Sequence, residues 1–219
     1  MNKVLVTGAN RGIGFEMCRQ LSLRGDEVVA ACREASDALR ALKLRIVEGV
    51  DVNDSDSLSA LSAKLDGTKL DWLINNAGIL SVESLDSLDF DAMERQFRVN
   101  SLGPLRVTAA LLPMLGAGSK IGIITSRMGS VEDNTSGGYY GYRMSKAAVN
   151  MAGMSLARDL KGRDISVALL HPGMVATDMT GGRGVAPEHS ASGLIQRMDA
   201  LDLEHSGVFW HAEGEQLPW

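Results

Sequence analysis

The feature that most constrains this chain is an alternation. Seven short, predominantly apolar runs recur along it: KVLVT (3–7), EVVAAC (27–32), LRIVEGVDV (44–52), DWLINNAG (71–78), KIGIITS (120–126), ISVALLH (165–171) and SGVFWHA (206–212). Stretches with helical spacing separate them, at about 12–24, 34–42, 53–65, 90–115, 142–160 and 191–201. Runs that are apolar on both of their faces belong to strands covered on both sides, and helices between them are the crossovers of a parallel sheet. The chain is therefore expected to be one α/β domain spanning residues 1–219, a Rossmann-type doubly wound sheet of seven parallel strands with helices on both faces. Neither a repeat nor a linker composition divides its 219 residues.

Composition excludes some roles. A net charge of −5 gives no basic field for nucleic acid. No run approaches the ~20 apolar residues of a membrane span. The four histidines (His171, His189, His205, His211) lack paired ligand spacing, and no CxxC occurs, so no metal site is expected. Two cysteines, Cys18 and Cys32, make no disulfide framework. The opening MNKVLVTG reads as a strand rather than a secretory leader. Together these point to a cytoplasmic protein.

The first strand runs directly into TGANRGIG (7–14), and a helix follows. Glycines there permit a tight turn and a close backbone approach, while the helix offers free N–H groups and the positive end of its dipole to a pyrophosphate. Strand, glycine turn and helix in that order identify a dinucleotide site. An NAD site places an acid ~20 residues on, near Glu34. The second strand, however, ends at Cys32 and is followed by Arg33, whose forked guanidinium suits a 2′-phosphate. Arg11, inside the glycine turn, reaches toward the same phosphate. These favour NADPH over NADH, against Glu34.

All three tyrosines fall in SGGYYGYRMSK. A phenol has a pKa near ~10, and lowering it by ~2–3 units takes ~3–4 kcal/mol. One ammonium about 4 Å away at an effective dielectric of ~20 supplies ~4 kcal/mol. On a helix the neighbour is at i+4. Tyr142 has Lys146 there, Tyr140 has Met144, and Tyr139 has Arg143. Gly137 and Gly138 place Tyr139 ahead of the regular helix, so Tyr142 is the chosen acid.

These motifs resemble the short-chain dehydrogenase/reductase family over nearly the whole chain, and most of all its small carbonyl-reductase, sniffer- and C-factor-like branch. TGANRGIG is similar to the family's TGxxxGxG, contributing Gly8, Arg11, Gly12, Ile13 and Gly14. Asp51–Val52 resembles its adenine-contacting pair, and Asn76, Ala77 and Gly78 belong to its NNAG motif. HPGMVATD resembles its PG motif, with Pro172, Gly173, Val175 and Thr177 beside the nicotinamide. The resemblance implies a sheet ordered 3-2-1-4-5-6-7. It also implies a catalytic set of Asn100, Ser126, Tyr142 and Lys146, with Tyr142 and Lys146 also touching the cofactor.

In this reading Tyr142 gives a proton to a carbonyl oxygen, Ser126 bonds that oxygen, and Lys146 lowers the phenol's pKa and bonds the ribose. Asn100 positions a relay water. The implied reaction is NADPH-dependent reduction of a small-molecule ketone, aldehyde or quinone. Alternatives are an NAD-linked alcohol dehydrogenase and a dinucleotide-binding signalling protein. A homodimer or homotetramer is the implied assembly.

The interval from Ser126 to Tyr142 is 16 residues, longer than the family commonly shows. A short glycine-rich substrate loop is expected at about 178–190. Tyr139 and Tyr140 are expected to wall the pocket or brace the loop. Arg127 is read as facing solvent or an acidic substrate, and Trp210 and Trp219 as lining the site or closing the sheet edge.

Overall fold

The computed structural model describes all 219 residues. Its seven strands are β1 (Lys3–Thr7), β2 (Glu27–Ala31), β3 (Arg45–Val47), β4 (Leu70–Asn75), β5 (Leu115–Ile124), β6 (Ser166–His171) and β7 (Phe209–His211). They form one sheet in the order β3-β2-β1-β4-β5-β6-β7, and every pairing is parallel. The order reverses between β1 and β4. A crevice opens there at the carboxyl ends of the strands, where doubly wound sheets bind ligands.

Seven helices cover the sheet: α1 (Gly12–Arg24), α2 (Asp37–Ala41), α3 (Ser55–Lys64), α4 (Phe90–Phe97), α5 (Gly103–Leu111), α6 (Tyr140–Leu160) and α7 (Pro187–Ala200). Side chains alternate across a strand. Leu5 therefore joins a core with Leu58 and Leu61 of α3, Leu111 of α5 and Val149 of α6. Its neighbours Val4 and Val6 join the opposite core with Met17 and Leu21 of α1 and Leu194 and Met198 of α7. Both faces are sealed, which is why the strands lack polar alternation. Each fully buried Leu or Val contributes ~1.5–3 kcal/mol.

Local signals set the ends. Asp54 caps α3 by accepting the N–H groups of Asp56 and Ser57. Gly25 ends α1 with φ 96°, its N–H bonding Leu21 and Ser22 carbonyls.

Several boundaries differ from the sequence reading: β2 ends at Ala31 rather than Cys32, and α6 starts at Tyr140 rather than Tyr142. The helical region 90–115 is two helices joined by a π-helical turn, Arg98–Leu102. β5 starts at Leu115, although its first half, LGAGS, is glycine-rich and partly exposed. α7 starts at Pro187, because proline suits the first helical turn. The expected loop 178–190 thus shrinks to a 3₁₀ turn at Asp178–Thr180 and an irregular link up to Pro187.

Candidate active site

The crevice is a cleft of ≈ 470 Å³ between the glycine turn and the carboxyl ends of β2, β4, β5 and β6. Gly8, Arg11, Gly12 and Ile13 form one wall, Arg33, Asp51 and Val52 one end, and Tyr142 and Lys146 the other. Asn76, Ala77, Gly78, Pro172 and Thr177 complete the predicted lining. Thr7, Ile79, Asp178, Met179 and Pro187 also line it: Thr7 opens the expected glycine turn, Asp178, Met179 and Pro187 fall in the expected substrate loop, and Ile79 carried no signal.

The glycine turn is held from behind. Asn76 donates to the carbonyls of Thr7 and Gly8, and the Thr7 hydroxyl accepts the N–H groups of Asn76 and Ala77. A Cβ on Gly8 would lie 2.8 Å from Ala77 Cα, and one on Gly14 would lie 2.4 Å from Asn76 Nδ2. Gly14 therefore packs beneath the turn instead of lining the cleft. The first turn of α1 has no capping side chain, because Arg11 supplies none. Its free N–H groups and dipole fit the predicted pyrophosphate.

Two more predicted residues are placed elsewhere. Gly173 faces His211 on a neighbouring hollow, and Val175 is buried and bridges to Val185. Arg11 forms an ion pair with Asp178 across the cleft mouth. Asp51 accepts the Asn53 N–H, and Val52 packs under Gly103. Arg33 lines the cleft exposed, whereas Glu34 does not line it.

At the other end Tyr142 and Lys146 line the cleft, and Ser126, buried and outside the lining, follows the lining residue Thr125. A 3₁₀ turn, Arg127–Gly129, follows Ser126, whose hydroxyl accepts the Met128 N–H at 3.1 Å. Gly129 lies so close to α6 that a Cβ would be 2.7 Å from the Lys146 carbonyl carbon. That approach brings the turn after Ser126 against the helix that carries Tyr142 and Lys146. Lys146 Nζ lies 5.6 Å from the centroid of the Tyr142 ring and donates to the Ile124 carbonyl at 2.9 Å.

Burial dominates both titrations. Although Tyr142 keeps some accessible surface, the enclosing protein raises its phenol to about 12, with the Ser126 hydrogen bond pulling the other way. Burial lowers Lys146 to about 8. The expected net lowering of the phenol by Lys146 is thus not what this chain alone produces. The proton stays on the phenol at neutral pH, the form an acid needs.

Asn100 sits on the π-helical turn, a distortion frequent at functional sites. Its Oδ1 accepts the Ile79 N–H, and its Nδ2 donates to the Ile79 carbonyl and to Ser145 Oγ, all at 2.9–3.0 Å. It clamps the loop after β4 to α6, and Gly78 lies between it and Lys146.

The tyrosine cluster resolves sterically. Gly137, Gly138 and Tyr139 are left-handed in succession, with φ 63°, 64° and 52°. Tyr139 is the residue before α6, and Arg143 is occupied with the Gly137 and Gly138 carbonyls and the Ser136 hydroxyl. Arg143 braces the loop and does not serve Tyr139. Arg127 pairs with Asp133 at 2.9 Å and Glu215 at 3.2 Å. Trp219 stacks on Phe209 at 5.6 Å and Trp210 packs on the α1/α7 core, so both close the sheet edge. No helix is long and apolar enough to cross a membrane.

A glycine turn on a doubly wound sheet, with serine, tyrosine and lysine at the far end of its cleft, defines a dinucleotide-dependent oxidoreductase. The chain matches the family model for short chain dehydrogenase over residues 2–186 and belongs to that family. It is 47% identical over 226 residues to the 1-hydroxy-2-glutathionyl-2-methyl-3-butene dehydrogenase of Rhodococcus sp. (strain AD45), covering 100% of both chains. It is also 47% identical over 154 residues to C-signal of Myxococcus xanthus, covering 68% of this chain and 93% of that one. Among solved structures, the NADPH-bound carbonyl reductase from chicken fatty liver superposes with a TM-score of 0.91 at 32% identity, covering 100% of this chain and 99% of that one. The carbonyl reductase Sniffer of D. melanogaster gives 0.92 at 29% identity, with 100% of each chain covered.

Proposed function

We propose that this short-chain dehydrogenase is an NADP(H)-dependent carbonyl reductase acting on a small ketone, aldehyde or quinone. The observation that carries this reading is a cleft lined by Tyr142 and Lys146 at one end and by Arg33 at the other. Gly8, Gly12 and Ile13 hold the pyrophosphate, Asp51 and Val52 the adenine, and Arg33 the 2′-phosphate. The likeness to an NADPH-bound carbonyl reductase supports the choice of cofactor.

Bound NADPH supplies the hydride. The chain supplies everything the oxygen needs. A carbonyl oxygen seated between the Ser126 hydroxyl and the Tyr142 phenol accepts from both. As the carbonyl carbon takes hydride, negative charge develops on that oxygen and Tyr142 gives up its proton to it. The phenolate left behind is stabilised by the Lys146 ammonium, worth about 3 kcal/mol at the 5.6 Å ring distance and an effective dielectric of ~20. Lys146 is held in place by the Ile124 carbonyl. Asn100 fixes the loop carrying Gly78 and Ile79 against α6, and we assign it the relay position beside Lys146.

A second reading runs the same residues in reverse. The Rhodococcus relative is a dehydrogenase of a hydroxyl compound bearing a glutathionyl group, which favours alcohol oxidation with Tyr142 as base. A panel of carbonyls with NADPH and of alcohols with NADP⁺ and NAD⁺, followed at the nicotinamide absorbance, separates the two directions. Tyr142→Phe is the decisive variant. Turnover falls ~10²–10⁴-fold while NADPH binding stays within about twofold. Retained turnover would overturn the assignment of the acid.

A further inference from the structure

Glu83 inverts the usual rule for loops. It stands between Val82 and Leu85, which are 70% and 72% exposed, yet it is itself only 3% exposed. A buried carboxylate is costly unless its lone pairs are filled. No lysine or arginine pairs with it. Its partners are neutral donors: Ser81 Oγ at 2.6 Å and Gln96 Nε2 at 2.8 Å on Oε1, and the Gly141 N–H at 3.2 Å on Oε2. Its backbone carbonyl accepts the Tyr139 N–H at 2.9 Å.

The last two bonds go to the start of α6. That helix begins at Tyr140 without a capping side chain of its own, since Tyr139 provides none. The first turn of a helix has N–H groups without intrahelical partners, and it frays unless something caps it. Glu83 supplies the cap from 58 residues away, with a charge that suits the positive end of the helix dipole. Tyr142 is the third residue of that first turn. Gly141 is where the contact closes: a Cβ there would lie 2.5 Å from Gln96 Nε2 and 2.8 Å from Met93 Cγ. Gln96 is fully buried, and its Oε1 takes the Ser81 N–H at 3.0 Å.

We propose that Glu83 is a positioning residue for the reaction: it caps α6 from a distant loop and thereby fixes where the Tyr142 phenol stands in the cleft. This rests on the reading of Tyr142 as the acid. Gln is not equivalent at this position. Its amide can give the Gly141 N–H an acceptor only by turning its NH₂ toward Ser81 and Gln96, which already donate. A carboxylate alone accepts all three.

The test uses the full chain with NADPH and the best carbonyl of the panel. Single-turnover hydride transfer at saturating cofactor is measured beside the NADPH dissociation constant. Glu83→Ala is expected to slow transfer by about tenfold or more, because small misplacements of a reacting group are costly. Glu83→Gln recovers part of that loss, and both variants bind NADPH within about twofold of wild type. A transfer rate within twofold of wild type in Glu83→Ala overturns the proposal. So does NADPH binding that weakens in step with transfer, the mark of a merely structural role. Where Glu83→Ala does not fold, Glu83→Gln carries the same comparison. Tyr142→Phe, run alongside, keeps the two claims apart. If it retains turnover, the acid is misassigned. If it collapses while both Glu83 variants are normal, only the positioning role fails.

Discussion

Arg11 and Asp178 form an ion pair that bridges the mouth of the cleft, joining the glycine turn to the segment after β6 across 167 residues. Sequence reasoning gave Arg11 to a phosphate. In the structure it lines the cleft and pairs with Asp178, so that the segment after β6 straps the cleft mouth. Both side chains are well exposed, so the pair is worth no more than ~1 kcal/mol and weakens with salt. Asp178→Asn should therefore speed NADPH release by up to about fivefold at low ionic strength and by much less at high salt. Stopped-flow cofactor fluorescence measures it. A release rate unchanged at low salt would show that the strap opens independently of this pair.

In the proposed function, cofactor choice rests on one exposed guanidinium. Arg33 lines the end of the cleft that holds Asp51 and Val52, and Glu34, one residue on, does not line it. Charge-assisted bonds to phosphate contribute ~1.5–3 kcal/mol. Arg33→Ala should thus weaken NADPH binding by about 10- to 100-fold and leave NADH within about twofold. Equal losses for the two cofactors would remove Arg33 from the 2′-phosphate.

Lys146 carries a pH signature. Its folded pKa of about 8 is depressed from 10.5, so between those values the unfolded chain binds more protons than the native one. Stability then rises with pH through that window, and the penalty is fully present below pH 8. Tyr142, held up at about 12, acts with the opposite sign and only above pH 10. Lys146→Met should be more stable than wild type at pH 7 by about 1–3 kcal/mol, after loss of the Ile124 bond. That advantage shrinks as pH approaches 10. Urea unfolding at pH 7, 8.5 and 9.5 reads the trend, and a difference independent of pH would contradict it.

Gly14 is a packing site. A methyl there meets Asn76 Nδ2 at 2.4 Å and the Gly8 carbonyl oxygen at 2.5 Å, and the latter is backbone. Gly14→Ala should cost ~1–3 kcal/mol by overpacking and weaken NADPH by distorting the turn. Thermal unfolding with and without NADPH separates the two losses. An unchanged melting temperature would mean that the turn shifts freely.

What the sequence disclosed follows the physics of each element. The sheet was legible because parallel strands buried on both faces are apolar throughout, and the place of Tyr139 ahead of α6 because Gly137 and Gly138 interrupt helical spacing. The π-helical turn at Arg98–Leu102 left no mark in residue type, since one extra residue per turn is a matter of hydrogen-bond register. The early start of β5 was hidden by glycines that read as loop. Pro187 did carry a signal, as a proline fit for the first helical turn. Glu83 and the Arg11–Asp178 pair were out of reach, because partners 58 and 167 residues away exist only after folding. The phenol's upward shift was invisible too, because spacing shows a neighbouring charge and conceals the loss of water.

The three left-handed residues before α6 have a further consequence for the long interval between Ser126 and Tyr142. A helix advances about 100° per residue, so slipping the chain by one between Gly138 and Tyr142 would swing the phenol a quarter-turn away from the cleft. Upstream of the kink no such angular debt accumulates, because Gly137 to Tyr139 restart the winding at a fixed point against Glu83. Loop length between the serine and the kink is thus uncoupled from the phase of the helix. The chain can lengthen there and remodel the rim of the pocket while the Tyr142 phenol keeps its place in the cleft.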